Sequence, residues 1–166
     1  LIFSSGVIMT WLPKFLIVLL MALPACSGVD SVTKKRWNNS ENTISVVDMT
    51  SRDFRLMDAG SKLQVAIEKN FQTTGYILSG KNARYHLKYK VTEFNEGNRM
   101  ARIATMGMSD SAKARLRLKA ALYDKGDMVG AWEVDSWVSG GVTGGSEDNL
   151  FEAAAQEIAG HLRGDF

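Results

Sequence analysis

The chain has 166 residues, 45% of them hydrophobic and 23% charged, with a formal net charge of +2. That composition excludes intrinsic disorder and allows a real core. The near balance of charge excludes a whole-molecule field that gathers nucleic acid. A lone cysteine excludes an internal disulfide framework.

The elements are read in chain order. Met9 is taken as the start, which sets residues 1–8 upstream of it. Lys14 forms a one-charge n-region, and Phe15 to Leu23 is an apolar run of signal-peptide length. The run is far short of the roughly 20 residues that span a bilayer as a helix. Leu23-Pro24-Ala25-Cys26 follows it directly. Residues 1–25 are thus read as upstream residues and signal peptide, 26–43 as Cys26 and a flexible tether, and 44–166 as one domain. One of the 20 basic residues, Lys14, and none of the 18 acids precede Cys26, so the remainder carries +1.

The tether reading rests on the polar run from Ser27 to Thr43. Within it, Lys34-Lys35-Arg36 are either solvated charges or contacts to anionic headgroups. Ile44 to Val47 is a short strand. Asp53 to Thr74 has helical spacing, with Leu56, Ala59, Leu63, Ile67 and Phe71 on one stripe and Gly75 as its stop. Arg84 to Phe94 alternates as a half-buried strand, Tyr85, Leu87, Tyr89 and Val91 pointing one way. Arg99 to Ser111, rich in methionine, fits either a strand continuation or a loop. Lys113 to Tyr123 and Met128 to Val138 form a hairpin around Asp124-Lys125-Gly126-Asp127. A Gly/Ser-rich loop leads into an alanine-rich helix, Asn149 to Arg163, with Asn149 and Glu152 as a capping box.

The order strand, helix, three strands, helix predicts an α+β fold: a two-layer sandwich, mainly an antiparallel meander, with two helices on one face (β-α-β-β-β-α). Chemistry fixes the hairpin register. Pairing Asp124 with Met128 leaves a three-residue loop, and it sets Lys119 opposite Glu133, Arg117 opposite Asp135 and Arg115 opposite Trp137. The last is a cation–aromatic pair.

The segment Leu23-Pro24-Ala25-Cys26 resembles the lipobox of bacterial lipoproteins. The resemblance implies cleavage between Ala25 and Cys26, diacylglycerol on the Cys26 sulfur and a fatty acid such as palmitate on the new amino group. Several acyl chains, at about 0.8 kcal/mol per buried methylene, give a lasting membrane anchor. Ser27 resembles an outer-membrane sorting signal, which implies a lipid-anchored protein facing the periplasm. From Arg84 onward the chain resembles domain-of-unknown-function family 4410, bacterial lipoproteins of no known activity. Thr92-Glu93-Phe94, Gly97, Arg102, Asp124, Gly126 and the helix EAAAQEIAGHL carry that likeness. Residues 104–109 depart from it, having less glycine. The implied fold is a small α/β module of the kind found in periplasmic lipoproteins and secretion-pore subunits.

No catalytic constellation is evident. His86 on a polar strand face and His161 near the end of the last helix read as surface residues. No metal site and no cofactor beyond the covalent lipid is expected. The loop Gly140 to Gly145 precedes a helix, but Glu147 and Asp148 at its entry repel an anion. The distinctive surface is the outer sheet face, carrying His86, Lys88, Lys90, Lys113, Arg115, Arg117 and Lys119 with Trp137 against Glu133 and Asp135. One reading is a solvated face whose lysines deter edge pairing. The other is a docking face for an acidic partner: a protein, an anionic envelope glycan or lipid headgroups. The chain is therefore read as a membrane-anchored, non-catalytic binding or envelope-assembly module. The alternative is a structural lipoprotein that assembles through its sheet edge or the 99–111 segment.

Overall fold

Alternating strands and two amphipathic helices bury a common set of apolar side chains. The computed structural model describes residues 26–35, 43–80, 82–98, 100, 104, 113–139 and 146–164. Among these residues there are six strands, β1 Cys26–Lys35, β2 Thr43–Asp48, β3 Ile77–Leu78, β4 Tyr85–Asn95, β5 Ala114–Asp124 and β6 Asp127–Ser139. Among them, too, are two long helices, α1 Phe54–Thr74 and α2 Asp148–Arg163. The sheet order is β1-β6-β5-β4-β2-β3, with β2 parallel to β4 and β1, β6, β5 and β4 successively antiparallel. The predicted α+β sandwich is thus found as a six-stranded mixed sheet with two helices. The antiparallel meander is its larger part.

The period-2 pattern sorts each strand. On β4, Tyr85, Leu87, Tyr89 and Val91 are buried; on β5, Ala114, Leu116, Leu118, Ala120 and Leu122 are; on β6, Trp132, Val134 and Val138 are. These meet Ala59, Leu63, Ile67 and Phe71 of α1 and Leu150, Ala154, Ile158 and Leu162 of α2 in one core. Both helices lie on that face, bridged by Lys62 with Glu147 (2.8 Å) and Lys69 with Glu152 (2.7 Å). Asp53 caps α1 by accepting from Arg55 N (3.1 Å), and Gly75 ends it at φ 83°. Gly60 of α1 lets the helix close on the β2–α1 connection. A Cβ there would stand 2.9 Å from Thr50 Oγ1 and closer still to Asp48.

Three expectations are corrected. First, the flexible tether assigned to 26–43 is not a tether at its start. Cys26–Lys35 is the edge strand β1, paired with β6 from Cys26–Ser139 to Lys35–Ala131. Its sequence hides this because two of its inward residues, Ser31 and Thr33, are polar. Residues 36–42 lie outside the described residues. Second, the hairpin loop is tighter than three residues. The ladder runs with the predicted pairs as far as Leu122–Gly130, then shifts by one, so that Tyr123 pairs Met128 and Asp124 pairs Asp127. Lys125 and Gly126 alone make the turn, at φ 52° and 97°. That primed geometry matches the right-handed twist of the strands, and a bulge at Val129 absorbs the extra residue. Third, α2 does not use Asn149 and Glu152 as a capping box. It begins one residue earlier, where Ser146 Oγ accepts from Asp148 N (3.2 Å) and Ser146 O from Asn149 N (3.2 Å). The 140–145 part of the preceding loop lies outside the described residues. So does the 99–111 segment, apart from Met100 and Ala104.

Candidate functional site

Among the described residues both helices lie on one sheet face and no element covers the other, and register decides what that face displays. Reading across the sheet, Ser45, His86 and Tyr123 form one row, and Val47, Lys88, Ala121, Ala131 and Lys35 the next. Lys90, Lys119, Glu133 and Val32 form a third, then Arg117, Asp135 and Asp30, then Asn95, Arg115, Trp137 and Gly28. All seven predicted docking residues, Lys88, Lys90, Lys113, Arg115, Arg117, Lys119 and Trp137, are brought together on or beside this face. The hairpin pairs Lys119–Glu133, Arg117–Asp135 and Arg115–Trp137 occur as predicted.

The face is not uniformly basic. At the end nearer Cys26, Asp135 takes Arg115 through Nε at 2.8 Å and Arg117 through Nε at 3.0 Å. Arg117 also donates to Glu93 at 2.8 Å. Arg115 therefore turns to the carboxylate and not over the Trp137 ring, because a charge-assisted fork gains more than a cation–π contact at a wet surface. The two arginines hold Asp135 below the usual carboxylate range. Trp137 lies instead over β1, where a Cβ on Gly28 would come within 2.5 Å of its ring. A depression of about 630 Å³ opens here, lined by Asp30, Lys113, Arg115, Asp135 and Trp137. Cations and acids balance at this end.

At the hairpin end the balance tips. Lys119 and Lys34 share Glu133 at 2.9 and 3.6 Å, which lowers the Glu133 pKa. Lys88 sits over the Tyr123 ring, 4.5 Å from its centre. Lys90 faces Lys119 across the ladder. Lys35 donates to the Met128 carbonyl. A depression of about 400 Å³ lies among Lys34, Lys88, Lys90, Lys119 and Tyr123. Lys34, Asp30 and Val32 were missed by the sequence reading because β1 was taken for a tether. The one available signal was the apolar pair Val29 and Val32 flanking polar residues, too short to set a period.

His161 is not a surface residue, contrary to expectation; it is 5% exposed. It stacks on Trp132, with ring centres 5.5 Å apart, and faces β1. Ser31 Oγ donates to Glu157 Oε1 (2.5 Å) and therefore accepts from His161 Nε2 (2.8 Å). His161 Nδ1 then accepts from Thr33 Oγ1 (3.3 Å). In this order the Ser31 proton rests toward Glu157, so His161 is not placed as a base for Ser31. The cluster fastens β1 to α2. Burial lowers the His161 pKa, opposed by the Glu157 charge. His86 does lie on the polar face, its Nδ1 2.5 Å from Ser45 Oγ.

Among the described residues no three or more His, Cys, Asp or Glu side chains gather to hold a metal ion. Among them, too, no helix is long and apolar enough to cross a membrane. Of the lipidation residues, Cys26 begins β1, and Ala25 lies outside the described residues.

No family model matches the chain, so the likeness to domain-of-unknown-function family 4410 rests on the motifs alone. No curated protein matches it either. Solved structures do. A PelC dodecamer from Paraburkholderia phytofirmans aligns at 13% identity and TM-score 0.53, covering 83% of this chain and 98% of its own. A single-substitution PelC dodecamer from the same organism aligns at 14% identity and TM-score 0.54, covering 82% and 98%. A minor lipoprotein from Acinetobacter baumannii aligns at 13% identity and TM-score 0.44, covering 75% and 92%. What this chain shares with the PelC structures at such identities is the fold.

Proposed function

We propose that the chain is a lipid-anchored, non-catalytic envelope protein of the family 4410 type that binds an acidic partner, protein or glycan, on its outer sheet face. The observation that carries the binding half is the polarised charge of an uncovered face: arginines neutralised at one end, lysines in surplus at the other. The anchoring half rests on the apolar run and lipobox before Cys26. In this reading the acyl chains hold the protein at the outer membrane, facing the periplasm, with no other cofactor. Mass spectrometry of the native product tests the anchor: the first residue is Cys26 carrying lipid, and Cys26→Ser moves the protein to the soluble fraction. A product that retains residues before Cys26, or lacks fatty acid, overturns it. A photo-crosslinker at Thr92, on the outer face, captures a partner in native envelopes, whereas one at Gln156, exposed on α2, does not. Equal capture from both positions overturns the outer-face reading.

A second reading is self-assembly, favoured by the edge of β1: nine of its ten residues pair with β6, Lys34 sits at the bulge, and among the described residues no other strand pairs with it. The PelC structures of the same fold are dodecamers. Sedimentation of the full chain in detergent decides it: one closed oligomer supports edge assembly, and a monomer excludes it.

A further inference from the structure

The hairpin end of the outer face differs from the rest in shape as well as in charge. The row Val47, Lys88, Ala121, Ala131, Lys35 crosses five strands in register. Its two central positions carry only methyl groups, so the depression of about 400 Å³ opens over them. At about 4.8 Å per strand the row is roughly 19 Å long, the length of about six extended residues. Four lysines line this valley with a single carboxylate, Glu133, which Lys119 and Lys34 already occupy. Among the described residues, neither Lys88 nor Lys90 has a carboxylate partner.

Exposed apolar groups surround the same lysines. Val47 ends the row, Met128 pairs Tyr123 beside it, and Met49 and Val32, 58% and 49% exposed, flank Lys90 and Glu133. Methionine adapts to irregular apolar surfaces and is favoured where varied side chains must be received. An acidic glycan has charge but no large apolar group to cover these residues. The one ring of the valley that is not buried beneath the sheet, Tyr123, already carries Lys88 on its face. Lipid headgroups fit no better. A bilayer presents its charge as a layer of headgroups with its apolar chains beneath, so it sets no apolar group beside each charge along a valley of about 19 Å.

We propose that the valley over Ala121 and Ala131 receives an extended polypeptide segment of another protein in which pairs of acidic residues alternate with pairs of apolar ones, so that the face turned to the sheet carries both. The inference rests on the outer-face reading above and adds the class of partner and its place on the face. Carboxylates of the segment meet Lys88 and Lys90, and its apolar side chains cover Val47, Met49 and the alanine floor.

The test uses the full chain in detergent micelles and a fluorescent decapeptide of alternating Asp-Asp and Leu-Leu pairs, followed by anisotropy. The expected result is saturable binding that weakens at least ten-fold in Lys88→Glu with Lys90→Glu and weakens again from 50 to 300 mM salt. Ala121→Trp, which fills the valley without changing its charge, abolishes binding, and Gln156→Glu, exposed on α2 on the other side of the sheet, leaves it unchanged. Since all these positions face outward, an unchanged melting temperature accompanies each result; a lowered one sends the measurement to Lys90→Gln alone, expected to weaken binding about three-fold. Binding no tighter than that of a Lys–Leu decapeptide overturns the proposal. So does tighter binding of an oligogalacturonate or of phosphatidylglycerol vesicles, which would leave an acidic partner of another class. Crosslinking from Thr92 in native envelopes reports on the outer-face reading separately, so failure of one is distinguishable from failure of the other.

Discussion

Ser31 Oγ on the first strand lies 2.8 Å from His161 Nε2 on the last helix, joining residues 130 apart in the chain. Thr33 of β1 holds the other ring nitrogen, Trp132 of β6 stacks beneath the ring, and Glu157 of α2 is the nearby charge. Burial, opposed by Glu157, places the His161 pKa below the ordinary 6.5. The unfolded chain therefore takes up a proton near pH 6.5 that the folded chain resists. The stability contributed by neutral His161 is complete above that pH and is lost as pH falls toward the lowered folded value. Scanning fluorimetry is expected to give a melting temperature that holds above pH 6.5 and declines as pH falls below it. His161→Gln, which cannot titrate, removes that decline; a parallel decline in the variant refutes the assignment.

Asp135 organises the arginine end of the face. Its pKa is lowered chiefly by the hydrogen bond from Arg115, with Arg117 adding to it against desolvation. Both arginines are about two-fifths exposed, so solvent screens the pairs. Asp135→Asn is expected to cost about 1 kcal/mol, less in 1 M salt. The wild-type contribution is present above pH 3.8 and lost as pH falls below it. Urea midpoints at two ionic strengths check the prediction; a salt-independent loss contradicts it.

Alanine is the better helix former, yet Gly60→Ala is expected to destabilise the fold. The helix gains about 1 kcal/mol in propensity. Against that, the added methyl strikes Asp48 and lies 2.9 Å from Thr50 Oγ1, whose hydroxyl accepts from Val91 N. Overpacking of this kind costs about 1–3 kcal/mol, for a net loss of about 1 kcal/mol. Denaturation of Gly60→Ala beside the exposed Ser61→Ala separates the two effects.

Lys125 holds φ 52°, a conformation costly for most side chains and tolerated by asparagine. Lys125→Asn creates an Asn-Gly turn and is expected to stabilise by about 0.5–1 kcal/mol. Gly126→Ala, at φ 97°, destabilises by at least as much. Equal midpoints for wild type and Lys125→Asn would show that the turn is not strained.

Where side-chain polarity reported burial, the sequence was legible. The stripes of both helices, the alternation of β4, β5 and β6, and the central hairpin pairs could be read because apolar residues faced the core and opposite charges met outside. β1 was illegible because Ser31 and Thr33 point inward to Glu157 and His161, contacts that need the far end of the chain. The same long-range pairing concealed the burial of His161. The small departures at the turn and at the start of α2 are one-residue choices among competing local hydrogen bonds. Of the candidate site, the residues and their face were evident. The split between a neutralised end and a lysine end was not, since it depends on Lys34 and Asp30 arriving from β1.

The placement of β1 also sets an order of events. The strand at the front of the domain completes the sheet only by pairing with β6 and meeting α2, the elements at the back. Until those arrive, the earliest part of the domain has nothing to pair with, and β6 on forming presents its far edge bare. Closure of so long a loop is slow relative to local hairpin formation. The interval between completion of the hairpin and docking of the first strand is when the chain is most open to mispairing, and the step at which a holdase would have most effect.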